Sequence, residues 1–438
     1  MTLNNLKELL VVACAGSTIL LAQEKSLTIE EAISLGIANS KSLHSSLMKA
    51  EYADAKAGEI SAALYPTLKL QASYLKLSDV PEFIIPLPGS PVSFPVVLNN
   101  YHARLSLQQP LFTGWKLQGA ANGAEFQAHA ARSDVAKDKA ELIYNVKLAY
   151  WGLYRVREFK LQADENVSLV AAHVEDIENL RNQGMATNNE VLKVKVQLSN
   201  AKILQSDAQN SVQLAMISLN SLIGIPLATN VTISSSLSPL VNEFPHLDRL
   251  VQAAFLQRPD VQGMEWRVRA SDATVVSARG GWLPQLFLTS NYYYARPNQR
   301  IFPAKDEFRD TWDVGLSLQF DLWNNLTTFH QTSAAEAQFR QTNDALASLK
   351  DGITLEVTQS YLSVRQTGEK IKLAELGVEQ AGENYRATQE KFKLGLTTNS
   401  ELLDAEVMLL QSKLQLTQAQ VDYELAQAKL IKAIGDGK

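Results

Sequence analysis

The sequence predicts a mainly α-helical protein that also carries membrane β-strands, built as a tandem repeat with four barrel strands and long coiled-coil helical hairpins. Three observations support this fold class: an internal repeat, long proline-free stretches with a heptad pattern, and four segments of alternating apolar residues. The 438 residues are 46% hydrophobic and 20% charged, which is typical of a folded chain. The formal net charge of -5 argues against nucleic-acid binding, which usually requires a basic excess.

Residues 1–22 are interpreted as a secretory signal peptide that is not part of the fold. An apolar run from Leu9 to Ala22 follows Lys7, and this run is too short to cross a bilayer as a helix. Cleavage after Ala22 would leave a mature chain without cysteine, which suits an oxidising compartment. A second interpretation makes Cys14, which follows Val-Val-Ala, a lipidated N-terminus. The apolar stretch before Cys14 would then be only about five residues, shorter than signals usually carry, so the sequence favours the first interpretation without excluding lipidation of Cys14.

A tandem repeat divides the remaining chain into residues 23–230 and 231–438. Gly184 in NQGMATNNEVL matches Gly395 in KLGLTTNSELL at an offset of 211 residues. The same offset relates three further pairs, which are Glu190 and Glu401, Tyr150 and Tyr361, and Leu111 and Leu322. Two copies of this length are too long and too few for a solenoid, so they indicate a duplicated supersecondary unit.

Each copy predicts a helical hairpin, over residues 115–225 in the first and 326–434 in the second. All 14 prolines lie outside these two ranges, so long uninterrupted helices are permitted. Residues 115–183 as one helix would reach roughly 100 Å. The last helix alternates large and small residues, and each set recurs every seven positions. The large residues are Leu402, Leu409, Leu416, Tyr423 and Leu430, and the small ones are Ala405, Ser412, Ala419, Ala426 and Ala433.

Both hairpins are predicted to turn at a glycine, Gly184 in the first and Gly395 in the second, because the heptads break there. Glycine readily adopts the left-handed conformation that a helix C-terminus needs. The expected N-caps of the two following helices are the polar residues that come next: Asn188, Asn189, Asn399 and Ser400.

Four segments alternate apolar and polar residues and predict strands near 67–77, 100–109, 285–295 and 311–320. A half-buried soluble strand gives the same alternation, but aromatic residues at the strand ends favour the girdles of an outer-membrane barrel. Four strands cannot close a barrel, which needs about eight, and lipid does not tolerate an open sheet edge. The chain is therefore expected to oligomerise.

The chain resembles the TolC-type outer-membrane channels, which are the exit ducts of bacterial efflux and type I secretion systems. The resemblance rests on LTIEEAISLGIANSKSL, on QQPLFTGW and QFDLWNNL, and on the turns GMATNNEVL and GLTTNSELL, in this order. It implies a homotrimer, with a β-barrel in the outer membrane of a Gram-negative bacterium and an α-helical tube in the periplasm. It also implies a periplasmic adaptor protein and an inner-membrane transporter as partners, and small toxic molecules as cargo. Neither the individual cargo nor the class of pump follows from the sequence.

The resemblance further implies two sets of functional residues. The adaptor-contact residues carry over to the hairpin turns, at Gly184, Thr187, Leu192, Gly395, Thr397 and Leu403. The channel constriction carries over to Glu401 and Asp404, which are three positions apart and so share one helix face. A trimer would arrange them as a ring that favours cations, whereas in an isolated helix they would be solvated first-turn carboxylates.

One position departs from the family pattern. The basic residue that latches the closed entrance in well-known members falls on Thr397 in this chain. The resemblance therefore implies that the closed state is held by a different contact here.

Two other classes of protein fit the sequence less well. An enzyme would need a convergent polar site, but the chain has no nucleophile motif, phosphate-binding loop or dinucleotide fingerprint. Its six histidines are scattered, so no metal site, cofactor or catalytic residue is predicted. A non-channel periplasmic coiled-coil structural protein would explain the heptads, but it would explain neither the alternating strands nor the signal.

Overall fold

The computed structural model describes residues 25–81, 83–85, 88–89, 92–94, 96–237 and 245–436, and the predicted signal at 1–22 lies outside them. The described helices are α1 (Ile29–Asn39), α2 (Lys41–Ala62), α3 (Lys116–Asn182), α4 (Asn188–Ile223), α5 (Leu247–Gln257), α6 (Pro259–Arg279), α7 (Asn325–Lys393) and α8 (Asn399–Ile434). The described strands are β1 (Lys25–Leu27), β2 (Thr67–Lys76), β3 (Phe83–Ile85), β4 (Val92–Phe94), β5 (Asn99–Phe112), β6 (Val231–Ile233), β7 (Gln285–Arg296) and β8 (Arg309–Gln319). None of the described helices is both long and apolar enough to cross a membrane.

The long helices come as two pairs of matching length. Helices α3 and α7 have 67 and 69 residues, and each is followed after a short turn by a helix of 36 residues, α4 or α8. Long helices gain most of their stability from packing along an apolar stripe. The heptad positions provide that stripe, because Val357, Val364, Leu402 and Ala405 are all buried.

The described residues form two compact units, and neither unit follows one repeat. One unit contains Lys137–Arg258, the chain from Gly352 onward and the N-terminal segment up to Ser45. The other contains Ser46–Ala136 and Pro259–Asp351. Each unit therefore takes its residues from both copies, and the division of the chain into residues 23–230 and 231–438 stays a prediction from the sequence.

The second unit contains a four-stranded sheet with the order β2-β5-β7-β8, in which every neighbouring pair is antiparallel. One row of neighbours across the sheet is Leu70, Leu105, Tyr292 and Trp312. The adjacent row, whose side chains point to the opposite face, is Gln71, Arg104, Tyr293 and Thr311. The apolar face is open, since Leu70 is 73% exposed and Trp312 is 70% exposed.

Strands β2 and β8 lie at the two edges of this sheet, and each pairs on one side only among the described residues. The first copy has a longer connection between its two strands, and part of that connection forms the short hairpin of β3 and β4. The second copy joins β7 to β8 by residues 297–308. The sheet thus ends in two rows of backbone groups that are available for pairing.

The first unit contains a small parallel sheet in which β1 pairs with β6. The buried Tyr150 of α3 fixes this pair, because its hydroxyl donates to the carbonyl of Leu27 at 2.8 Å and accepts the N–H of Ser235 at 3.2 Å. Thr28 then caps α1 through a capping box with Glu31. These contacts join the beginning of the chain to the segment between the two copies.

The backbone of the two turn glycines leads to a prediction on stability. Gly184 and Gly395 have φ angles of 78° and 71°, and a Cβ atom at either position would meet nothing within 4 Å. We expect Gly184→Ala and Gly395→Ala each to lower the free energy of unfolding by about 1 kcal/mol, because alanine disfavours the left-handed conformation. The midpoint of thermal unfolding, followed by helical circular dichroism, measures this effect.

Gly377→Ala is the matched control, because Gly377 lies inside α7 and also has open space around it. Alanine there should raise the free energy of unfolding by about 0.5–1 kcal/mol, since it is the better helix former. A stabilising effect of alanine at the two turns as well would contradict the assigned backbone conformation.

Candidate functional site

The turn between α3 and α4 closes around Gly184. The N–H of Gly184 donates to the carbonyl of Arg181 at 2.9 Å, and the N–H of Met185 donates to the carbonyl of Leu180 at 2.8 Å. These bonds satisfy carbonyl groups at the end of α3, which have no partner within the helix. The turn between α7 and α8 repeats this geometry, with Gly395 and Leu396 as the donors to Phe392 and Lys391.

Threonine residues cap the helices that follow both turns. The Oγ1 of Thr187 accepts the N–H of Glu190 at 3.2 Å, and the Oγ1 of Thr398 accepts the N–H of Glu401 at 3.3 Å. The sequence-based choice of Asn188, Asn189, Asn399 and Ser400 as caps was wrong, because these residues already belong to α4 and α8. The residues before them have the extended backbone that brings a hydroxyl to the first free amides.

The predicted residue Thr397 is therefore not the structural counterpart of Thr187. Thr398 takes the N-cap position in the second turn, and Thr398 also has the offset of 211 residues from Thr187. Thr397 lies one residue earlier and is half-buried. The assignment of Thr397 to the adaptor contact stays a prediction.

The equivalent glutamates of the two turns, Glu190 and Glu401, make different hydrogen bonds. The carboxylate of Glu190 accepts the backbone N–H of Thr187 at 2.6 Å and so completes a capping box. This backbone hydrogen bond, together with one from the hydroxyl of Thr187, holds the pKa of Glu190 below its usual value. In the second turn only the threonine half of the box is formed, so the exposed carboxylate of Glu401 is not part of the cap.

The second predicted constriction residue, Asp404, is also exposed and lies one turn further along α8. The repeat places Lys193 at the equivalent position of α4. The second turn thus has two exposed carboxylates three positions apart, Glu401 and Asp404, while the first turn combines the capping Glu190 with Lys193.

The two predicted leucines lie in different surroundings although the repeat makes them equivalent. Leu192 is 54% exposed. Leu403 packs against a buried apolar cluster formed by α3 and α4, whose members are Val170, Val174, Ile177, Val191 and Val194. Leu192 therefore presents a free apolar surface, whereas Leu403 also contributes to the packing of the second turn.

A buried histidine fastens the second turn to α3. Nε2 of His173 forms a short hydrogen bond with Oδ1 of Asn399, and its ring meets that of Phe392 edge-on at 5.4 Å between centroids. This contact joins the second turn to α3 two residues beyond Thr397. Sequence reasoning missed His173, because its partner lies 226 residues later in the chain.

A second residue that sequence reasoning missed is Glu406 of α8, which is only 6% exposed. Burial raises the pKa of its carboxyl group to about 7. Its Oε2 atom has no hydrogen-bond partner among the described residues, and the side chain borders a cavity between α3, α7 and α8. The sequence contains a weak signal, since Glu406 directly follows the buried heptad residue Ala405.

Comparisons with known proteins connect this architecture to one family. The sequence model of the family described as outer membrane efflux protein matches residues 32–225 and 250–436. The outer membrane efflux protein BepC of Brucella suis is 21% identical over 333 residues, which are 76% of this chain and 71% of BepC. The alkaline protease secretion protein AprF of Pseudomonas aeruginosa is 24% identical over 350 residues, which are 76% of this chain and 69% of AprF.

A solved structure agrees with the chain along almost all of its length. The outer membrane protein VceC of Vibrio cholerae superposes with a TM-score of 0.78 at 20% identity, over 93% of this chain and 96% of VceC. The likeness confirms the predicted fold class of long helical hairpins with barrel strands, and the family match extends over both copies of the repeat. The chain therefore belongs to the outer membrane efflux protein family, and it is an outer-membrane channel for efflux or secretion.

Proposed function

We propose that three copies of this chain form the exit duct of a tripartite system, with a shared barrel in the outer membrane and a helical tube in the periplasm. The observation that carries this proposal is the four-stranded sheet, whose two edge strands have no outer partner among the described residues and whose apolar face is exposed. A sheet edge facing lipid would leave backbone groups without hydrogen bonds. Pairing of β8 in one copy with β2 in the next removes the edges, and three copies give twelve strands, enough for a barrel with an aqueous lumen.

The proposed partners are a periplasmic adaptor protein and an inner-membrane transporter. A passive duct carries no energy source, so active export requires an energised transporter at the other membrane. The names of BepC and AprF refer to efflux and to alkaline protease secretion, and they support both kinds of export for this chain. Small toxic molecules are the proposed cargo.

The oligomeric state and the conductance test this function together. We expect light scattering to show that the detergent-extracted protein is a stable trimer of the 48.3 kDa chain. If the signal peptide is removed, the mass of each chain is lower by the mass of that peptide. The same trimer should conduct ions in a planar lipid bilayer, because a closed barrel encloses water. A monomer as the main species would contradict the shared barrel, and a trimer without conductance would favour a structural coiled-coil protein.

We also propose that the two helical turns contact the adaptor through Gly184, Thr187, Leu192, Gly395, Thr397 and Leu403. The exposed side chain of Leu192 supports an external apolar contact at the first turn. The half-buried Leu403 would contribute both to the adaptor contact and to folding, because it also packs against the apolar cluster of α3 and α4.

Charged replacements of the two leucines separate docking from folding. We expect Leu192→Glu to abolish export while trimer and membrane insertion persist, because a charge opposes an apolar contact. Leu403→Glu should abolish export and also lower the melting temperature, since it disturbs the packed cluster. Lys202→Glu, at an exposed position further along α4, is the control and should export normally. Normal export by Leu192→Glu would remove Leu192 from the adaptor contact.

We further propose that Glu401 and Asp404 form the acidic constriction of the duct. Three-fold symmetry would place six carboxylates in one ring, which creates a negative potential and attracts cations. The free carboxylate of Glu401 and the exposed Asp404 support this role, whereas Glu190 is engaged in its capping box.

Single-channel recording tests the ring. We expect the double variant Glu401→Ala, Asp404→Ala to show weaker cation selectivity and weaker block by multivalent cations, because the negative potential is lost. Glu190→Ala is the matched control, since it removes an acid from the equivalent turn. The control should destabilise the start of α4 by about 1 kcal/mol and leave selectivity unchanged. Unchanged selectivity and block in the double variant would place the ring elsewhere.

A further inference from the structure

A cavity of about 1000 Å³ lies between α3, α7 and α8. Its volume is at the upper end of the range for pockets that bind drug-sized molecules. Apolar side chains form part of the wall, including Leu161, Leu169 and Phe392. The site is distinct from the ring proposed at Glu401 and Asp404, and it does not depend on that ring.

Two side chains that line the cavity, Gln162 of α3 and Glu406 of α8, each carry a buried oxygen atom. Among the described residues, neither Oε1 of Gln162 nor Oε2 of Glu406 has a hydrogen-bond donor. The amide nitrogen of Gln162 is already used, because it donates to Oγ1 of Thr417 at 3.2 Å. Buried acceptors normally have hydrogen-bond partners, so two such oxygens in residues that line one cavity indicate a site for a ligand that donates hydrogen bonds.

The charges around the cavity favour a cation. Its lining contains five carboxylates and two lysines, which are Glu158, Asp164, Glu165, Asp176 and Glu406 with Lys393 and Lys413. Two of the five carboxylates already have a cation, since Lys413 pairs with Glu165 at 3.1 Å and Lys160 pairs with Asp164 at 2.6 Å. Lys393 pairs with Glu390 at 3.2 Å, so Glu158, Asp176 and Glu406 remain as the surplus. Within the described part of the chain, no basic group lies at salt-bridge distance from the carboxylate of Glu406.

We propose that this cavity binds an amphipathic organic cation. Its ammonium group donates to Glu406, with Gln162 as the second acceptor, and its apolar part packs against Leu161, Leu169 and Phe392. A bare metal ion fits less well, because the described residues contain no group of three histidine, cysteine or acidic side chains placed to hold one. An anion is disfavoured by the surplus of carboxylates.

Ionisation of Glu406 makes the site sensitive to pH. Burial raises the pKa of this carboxyl to about 7, so the group is mostly neutral at pH 6 and mostly ionised at pH 8. Asp164 remains ionised throughout, because its hydrogen bond from Lys160 lowers its pKa. The other titratable groups facing the cavity are Glu158, Glu165, His173 and Asp176 on α3, Tyr385 and Lys393 on α7, and Lys413 on α8.

Binding of a fluorescent amine to the purified protein in amphipol tests the proposal. Dansylcadaverine carries one primary ammonium and one aromatic group, and its ammonium stays charged at both pH values. We expect saturable binding at pH 8 and about tenfold weaker binding at pH 6, as the ionised fraction of Glu406 falls. Dansylamide, which lacks the ammonium, should bind at least tenfold more weakly than dansylcadaverine at pH 8.

Three variants separate the cavity from non-specific attraction. Glu406→Gln keeps the shape of the side chain, and we expect it to weaken binding about tenfold at pH 8 and to abolish the pH dependence. Glu379→Gln removes an exposed carboxylate of α7 outside the cavity and should bind normally. Leu169→Trp fills the cavity while Glu406 is retained, and it should also weaken binding.

Several results would overturn the proposal. Equal binding by Glu406→Gln and Glu379→Gln would show that Glu406 does not contact the amine. Equal binding of dansylamide would show that the charge is not recognised, and unchanged binding by Leu169→Trp would place the amine outside the cavity. If Glu406→Gln does not assemble, two measurements still test the proposal. They are the binding of dansylcadaverine to Leu169→Trp and the pH dependence of its binding to the unmodified protein.

Discussion

The hydrogen-bonding demand of strand edges in lipid is the constraint on which the architecture depends. Water cannot satisfy backbone groups inside a bilayer, so a sheet there must close on itself. Among the described residues the four-stranded sheet leaves β2 and β8 open at its edges, and the apolar row from Leu70 to Trp312 needs a non-aqueous neighbour. In the proposed trimer, closure with further copies would satisfy both demands. Helices α3 and α7, which follow β5 and β8 in the chain, would then assemble with the same symmetry.

The two helical hairpins share one architecture but differ in the chemistry of their turns. The helices have matched lengths and turn at glycines with similar φ angles. Around those turns, however, Glu190 is part of a capping box, whereas Glu401 has a free carboxylate. Lys193 and Asp404 differ in sign at one repeat position. A repeated backbone therefore tolerates differences at exposed positions, because the packed heptad layers hold the helices together there without those side chains.

Packing along α3 changes over a short distance. Near the turns, Val170, Val174 and Ile177 form a dense apolar cluster with residues of α4. On another side, α3 borders a cavity lined by Gln162 and Glu406, each of which has one buried oxygen without a hydrogen-bond partner among the described residues. Burial disfavours the ionised form of an acid, which accounts for the raised pKa of Glu406. The described helices thus enclose both a packed apolar cluster and a cavity.

The sequence by itself determined the features that depend on local periodicity and local backbone preference. Heptads and proline-free stretches predicted the long helices, alternation predicted the four strands, and Gly184 and Gly395 marked the turns. Only the tertiary structure decided which residues meet across long separations. It brought His173 to Asn399, buried Glu406 and left Leu192 exposed while Leu403 packed. The reason is physical: periodicity follows from the geometry of one helix or strand, whereas burial and partners depend on distant segments.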